Sequence, residues 1–184
     1  MACDLTSARN EPCKDSVGGI DKLYFVNYGD ISEAICTFES TGSLRSGDAI
    51  SAITGTPSAY EYEVKDATSY TENIQSDRST GTTAFEQVLE VTLKKLSIAD
   101  HKELRLMCWG RPHVIIQDNN GNCFIAGFEH GMDVTGGTIV TGAAMNELSG
   151  YTLTLTGMER YPATFLSEGD LPGDTGFTVV PAVP

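Results

Sequence analysis

YTLTLTG, residues 151–157, alternates without a break: Tyr151, Leu153 and Leu155 fall on one side, and Thr152, Thr154 and Thr156 on the other. Successive side chains of a strand point to opposite faces, so this stretch predicts a β-strand with one dry and one wet face. The same period runs through AFEQVLEVTLKKL, residues 84–96. There Phe85, Gln87, Leu89, Val91 and Leu93 alternate with Glu86, Val88, Glu90, Thr92 and Lys94. A helix is the competing assignment, and the β-branched residues and the Gly-rich approach favour a long strand. AYEYEV, residues 59–64, sets Tyr60, Tyr62 and Val64 against Glu61 and Glu63 in the same way.

Outward from these strands, KLYFVNY (22–28) reads as the first strand of the domain, rich in aromatic and β-branched residues. PHVIIQDNNGNCFIAGF (112–128) reads as a hairpin, with two apolar runs flanking Asn119, Asn120, Gly121 and Asn122. One helix is expected. Ser97 is its N-cap with Asp100 three residues on, Leu104, Met107 and Cys108 form its apolar side, and Gly110 with Pro112 stops it. Residues 29–57 read as a long loop or hairpin, 65–83 as a polar, turn-rich insertion, and EHGMDVTGGTIVTGAAMNE (129–147) as a Gly-rich connector. The expected architecture is a mainly-β sandwich or partial barrel with one flanking α-helix and long loops. It divides into an N-terminal arm (1–19), the β domain (20–166) and an extended Pro/Gly-rich acidic tail (167–184) that does not fold independently.

Composition narrows the function classes. At 184 residues, one core is the default. No apolar run approaches the roughly 20 residues of a membrane helix, and the charged opening lacks the apolar stretch of a signal peptide. Five cysteines, Cys3, Cys13, Cys36, Cys108 and Cys123, are an odd number without CxxC spacing. They read as free thiols of a reducing compartment, with a Cys3–Cys13 bridge as the alternative. Net charge is −13, from 25 acids against 12 bases, and the longest basic run is Lys94–Lys95. A protein that grips nucleic acid must supply cations to displace condensed counterions, so sequence-independent DNA binding is excluded.

No catalytic, cofactor or metal site is expected. His101, His113, His130, Cys108 and Cys123 lack the paired spacing of zinc ligands. His130 with Glu129 and Asp133 has the composition of an acid/base cluster, but no nucleophile elbow or HExxH accompanies it, and a loop histidine held by backbone or carboxylate is the simpler reading. Gly136, Gly137 and Gly142 come without a GxGxxG pattern or a Walker lysine, so no phosphate cradle is read there, and DNNGN has turn spacing rather than a calcium-loop pattern.

WGRPHVIIQDNNGNCFIAGFEHGMDVTGGTIVTGAAMNELSGYTLTLTGMERYPATFL, together with LKKLSIADHKEL and the opening CDLTSARNEPCKDSVGGIDKLYFVNYG, resembles the tail tube proteins of tailed bacteriophages, those with contractile tails in particular. The likeness spans most of residues 1–166 and rests on an ordered series of turns and strands. It implies a sandwich whose sheets join across subunits into an inner barrel, in hexameric rings that stack into a hollow tube in the virion tail, assembled in the host cytoplasm. It also implies that the chain is no enzyme, and that its partners are further copies of itself, sheath, baseplate and tail terminator proteins, with DNA passing through transiently and no membrane involved.

Under that resemblance, the Glu86, Glu90 and Thr92 face, or the Thr152, Thr154 and Thr156 face, lines the bore, where anionic walls let DNA slide. Leu44, Ile50, Ile53, Tyr70, Ile74, Met132, Gly136, Gly137 and Met145 are the expected subunit-contact residues. Stacking is assigned to 29–57, 65–83 and the N-terminal arm, so that deleting 44–53 should leave a folded protein unable to stack. Three alternatives stay open: a tube of a contractile injection or secretion system, a β-sandwich binding module or adhesin, and an enzyme using His130. Sugar platforms need exposed aromatics, and Trp109 is the one tryptophan.

Overall fold

The computed structural model describes residues 9, 14, 16–39, 42–64, 68–167 and 171–182. The strands in the first half of the chain are β1 (Ile20–Val26), β2 (Cys36–Phe38), β3 (Ile50–Ile53), β4 (Ser58–Glu63), β5 (Ser69–Asp77) and β6 (Thr82–Lys94). Helix α1 (Ile98–Trp109) follows, then β7 (His113–Asp118), β8 (Cys123–Ala126), β9 (Asp133–Val140), β10 (Gly150–Glu159), β11 (Thr164–Phe165) and β12 (Thr178–Val180). They form a six-stranded sheet in the order β11-β8-β7-β1-β4-β12, a four-stranded sheet in the order β5-β6-β10-β9, and the β2-β3 hairpin. Among the described residues no sheet closes into a barrel, and the mainly-β sandwich expected from the sequence is the fold.

The six-stranded sheet is the middle layer. From one face Leu23, Phe25, Val114 and Ile116 pack with Leu89, Val91, Tyr151, Leu153 and Leu155 of the four-stranded sheet and with Leu104 and Met107 of α1. From the other, Tyr24, Val26, Ile115 and Ile125 pack with Ile31, Leu44, Ile50, Ile53, Leu166 and Phe177. A strand covered on both faces reads as an unbroken apolar run, which is why β1 and β7 lack the alternation seen in β6 and β10.

Local chemistry fixes the turns and ends. The Asp118 carboxylate accepts the amides of Asn120 at 2.9 Å and Asn122 at 2.7 Å, and Gly121 takes φ of 86° to close the β7–β8 hairpin. Ser97 caps α1, its hydroxyl accepting the Asp100 amide at 3.0 Å, and the helix ends at Gly110.

Several expectations are corrected. Residues 29–57, read as a long loop or hairpin, hold the β2-β3 hairpin and short 3-10 turns, and they supply Ile31, Leu44, Ile50 and Ile53 to the second core rather than leaving these side chains at the surface. The 65–83 insertion contains β5, and the Gly-rich connector contains β9. Cys108 is exposed rather than part of the buried side of α1, and Tyr60, which shares parity with Tyr62 and Val64, is left 42% exposed. The domain does not end at Leu166. Phe177 is buried, the Ile53 amide donates to the Thr175 carbonyl at 2.6 Å, and β12 adds to β4 in parallel. At the other end, Val17 and Gly18 are tied to the side chains of Asn120 and Asn119. The rest of the N-terminal arm, apart from residues 9, 14 and 16–19, and with it the Cys3–Cys13 alternative, lies outside the described residues.

Candidate functional site

The side of the four-stranded sheet that faces away from the core carries the residues singled out for a bore, and pairing brings both predicted faces onto one surface. Directly opposite residues of an antiparallel pair share a face. Thr152 lies opposite Thr92, Thr154 opposite Glu90, Thr156 opposite Val88 and Met158 opposite Glu86. Outward on one flank, Glu90 meets Ser69, Val88 meets Thr71, and Glu86 meets Asn73. On the other, Thr152 meets Thr138 and Thr156 meets Asp133.

The result is a hydroxyl-rich surface carrying the carboxylates of Asp77, Glu86, Glu90 and Asp133. Thr138 and Thr152 share a hydroxyl hydrogen bond at 2.6 Å, and Gln75 donates to Glu86 at 3.1 Å. The Ser79 hydroxyl and amide both donate to Asp77 and hold its carboxyl below the usual range, so it stays anionic. Such a surface offers acceptors and negative charge, which suit repulsion of phosphate rather than its capture.

Among the described residues the sheet's two outer strands are unpaired on their far sides: β5 pairs only with β6, and β9 only with β10. On the core-facing side of these margins, Ile74 is 70% exposed on β5 and Ile139 is 59% exposed on β9. Ile139 also borders a groove of about 430 Å³ between β9 and α1, together with Leu104, Trp109, Gly137 and Tyr151. Glycine is required at 137 by close approach, since a Cβ there would stand 2.4 Å from the Thr152 carbonyl oxygen.

The expected contact residues divide. Ile74, Met145, Gly136 and Gly137 are exposed, and Tyr70 is half-buried. Leu44, Ile50, Ile53 and Met132 are corrected: they are buried in the chain's own cores and offer no surface to a neighbour.

Beneath the sheet lies a polar network that the sequence reading did not single out. Buried Gln87 accepts the Gly127 amide at 2.7 Å and donates to Glu72 at 3.1 Å, and Glu72 also accepts the Ala163 amide at 3.0 Å. Buried Glu159 accepts the amides of Glu129 and His130, at 3.1 and 2.8 Å, and meets the His130 ring at 3.1 Å. His130 therefore pairs with Glu159, not with Glu129 or Asp133. Glu129 forms a bidentate pair with Arg160, which holds its carboxyl below the usual range.

Glu129, His130 and Glu159 bring three possible donor atoms within 4.8 Å of one another. Each is already engaged in the hydrogen bonds just described, so the cluster ties the β8–β9 turn to the end of β10. Glu159 was legible in principle, because it continues the inward parity of Tyr151, Leu153 and Leu155.

The remaining zinc candidates lie apart. His113 is buried, its Nδ1 donating to the Gly127 carbonyl at 2.6 Å while Nε2 accepts the Gly29 amide at 3.2 Å. Burial lowers its pKa and keeps the ring neutral. Burial pushes the Cys123 thiol up to about 11 and the Cys36 thiol up to about 12, which leaves both poor nucleophiles at neutral pH. No helix among the described residues is long and apolar enough to cross a membrane.

The fold and this surface define a β-sandwich with one two-margined open sheet. No family model matches the chain, and no known protein or solved structure that was compared with it matches.

Proposed function

We propose that this chain is a structural subunit of a bacteriophage tail tube, which forms hexameric rings that stack into a passive, negatively charged conduit for DNA. The observation that carries the reading is the four-stranded sheet: among the described residues, two long unpaired margins flank one uncovered face of hydroxyls and carboxylates. An open margin is an assembly template unless something covers it. Strand direction alternates from β5 to β9. Rotation about an axis along the strands therefore brings the β5 of one copy antiparallel to the β9 of the next, continuing the alternation, and a head-to-tail contact of this kind gives a ring when the rotation closes, as six copies at about 60° would.

In that ring the Glu86, Glu90, Thr92, Thr152, Thr154 and Thr156 face turns inward. The acids repel the duplex and the chain performs no catalysis. Sheath, baseplate and terminator proteins are the partners this role requires, in the tail of the virion. The same geometry serves the tube of a contractile injection system. The C-terminal segment, docked on its own β4, is not needed for ring closure in this reading.

Negative-stain microscopy of the purified chain at high concentration tests the proposal. Hollow rings or tubes are expected. They should grow more readily as added salt shortens the Debye length from about 30 Å at 0.01 M to about 10 Å at 0.1 M, because subunits this acidic repel one another. A particle that remains monomeric across this range overturns the reading.

A further inference from the structure

The two open margins of the four-stranded sheet are complementary to each other in one register, and this inference rests on the ring proposed above. Inward-facing positions on β5 are Tyr70, Glu72 and Ile74, set opposite Leu89, Gln87 and Phe85 of β6. Those on β9 are Val134, Gly137 and Ile139, set opposite Leu155, Leu153 and Tyr151 of β10. Thr135 and Gly136 form a bulge between them. A joint between copies must match inward with inward, because a slip of one residue would turn every side chain to the wrong face.

The row of directly opposite residues that crosses the sheet from Tyr70 through Leu89 and Leu155 ends at Val134. If that row continued unshifted into the next copy, Val134 would face the neighbour's Tyr70. β5 begins at Ser69, which would face Gly136 across the bulge, so 137–140 would then have no partner strand. A shift in the other direction moves β5 off β9 altogether. A shift of four residues, from Tyr70 to Ile74, lays the whole of β9 along β5.

We infer that β9 of one copy pairs antiparallel with β5 of the next in this shifted register, with Val134 opposite Ile74, Gly137 opposite Glu72, and Ile139 opposite Tyr70. Two exposed apolar side chains, Ile74 and Ile139, thereby each gain an apolar partner. On the bore side, Thr138 falls opposite Thr71, and Asp133 opposite Gln75, so hydroxyl meets hydroxyl and carboxylate meets amide. Gly137, which has no side chain, leaves room beside Glu72. The size of the shift has an independent rationale. Four residues per four-stranded copy is one residue per strand, the ratio that gives a closed eight-stranded barrel of shear 8 its strand tilt of about 36°.

Cysteine pairs read the register directly. Directly opposite Cα atoms in an antiparallel pair are about 4.5–5.5 Å apart, within disulfide reach. Thr71→Cys with Thr138→Cys is compared with Gln75→Cys with Thr138→Cys, each in the full chain with Cys3, Cys13 and Cys108 changed to Ser. The second pair is off register by four residues, roughly 13 Å along the strand. Within one chain β6 and β10 separate the two margins, so any covalent product joins different copies.

After mild oxidation of the assembled protein, the first pair should give a ladder of covalent oligomers in denaturing gels and the second only monomer. Rings or tubes that cross-link through the second pair, or through neither, overturn the register and leave the tube reading standing. A ladder from the first pair without rings supports the joint and overturns the tube. A chain that neither associates nor cross-links overturns both.

Discussion

The two sheets of this molecule treat their margins in opposite ways. The six-stranded sheet ends in β11, two residues long, and β12, three residues long, and both of its faces are covered. The four-stranded sheet ends in β5, nine residues, and β9, eight residues, and one of its faces is bare. Very short edge strands are a common device against unwanted pairing, and long flat ones invite it. Neither β5 nor β9 carries a proline or a lysine, the residues that most often blunt an edge. Among the described residues the same polypeptide therefore covers one sheet and shortens its margins, the closed sheet of this contrast, and leaves the long margins of the other open, which is the feature the proposed ring uses.

One substitution made in both regions breaks or sharpens this contrast, and it carries the largest expected effect. Ile50→Ala empties a fully buried site on the covered back face and should cost about 2–5 kcal/mol, seen as a lower urea midpoint. Ile74→Ala at the open margin should leave the monomer's midpoint within about 0.5 kcal/mol of the original. Equal losses would mean that the open margin is already packed in the monomer. By the same reasoning, removal of 44–53 takes Leu44, Ile50 and Ile53 out of the second core and should prevent folding rather than only stacking.

A smaller effect separates the buried histidine of the closed sheet from its surroundings. His113 begins β7 and is 1% exposed, and its pKa in the folded chain lies below the ordinary value of 6.5. The unfolded chain binds the proton first as pH falls. Stability from this residue is thus complete above about pH 6.5 and is lost as pH drops toward the depressed folded pKa, by at most about 1.4 kcal/mol per pH unit. His113→Asn should be less stable at neutral pH, and its unfolding free energy should fall less steeply between about pH 7 and 5. Parallel pH profiles would show that the ring is not held neutral.

Legibility followed periodicity. β6 and β10 have one dry and one wet face, and their alternation gave both the strands and the face each residue takes. The hairpin at Asp118 and the cap at Ser97 carry their own local chemistry and were equally plain. β5 was missed because its outward residues are Ser, Thr, Asn and Gln and only Tyr70 and Ile74 are large and apolar, so a solvated edge strand resembles a loop. β9 was hidden by Gly136 and Gly137 and by a bulge that breaks the alternation. Leu44, Ile50 and Ile53 looked like isolated apolar patches because the layer they complete comes from β1, β7 and β8, distant in sequence. The bore-face residues could be named from parity alone, whereas their union on one surface required the β6–β10 register.

The smallest effect tests whether α1 is an accessory of the open sheet or a fixture of the core. The helix buries only Leu104 and Met107 and presents Ile98, Leu106 and Trp109 to solvent, so packing holds it by a narrow stripe. Its N-terminus depends on Ser97, which accepts the Asp100 amide and donates to the Asp100 carboxylate at 2.6 Å. Ser97→Ala removes both bonds and should cost about 1 kcal/mol. Since α1 covers the inner side of β9 and β10 at Tyr151 and Leu153, fraying of its first turn should appear in hydrogen exchange as faster exchange of the first helical amides and of β9, with β1 and β7 unchanged. Faster exchange spread evenly over both sheets would mean that the open and closed halves unfold as one unit, and the contrast between them would then lie in their surfaces alone.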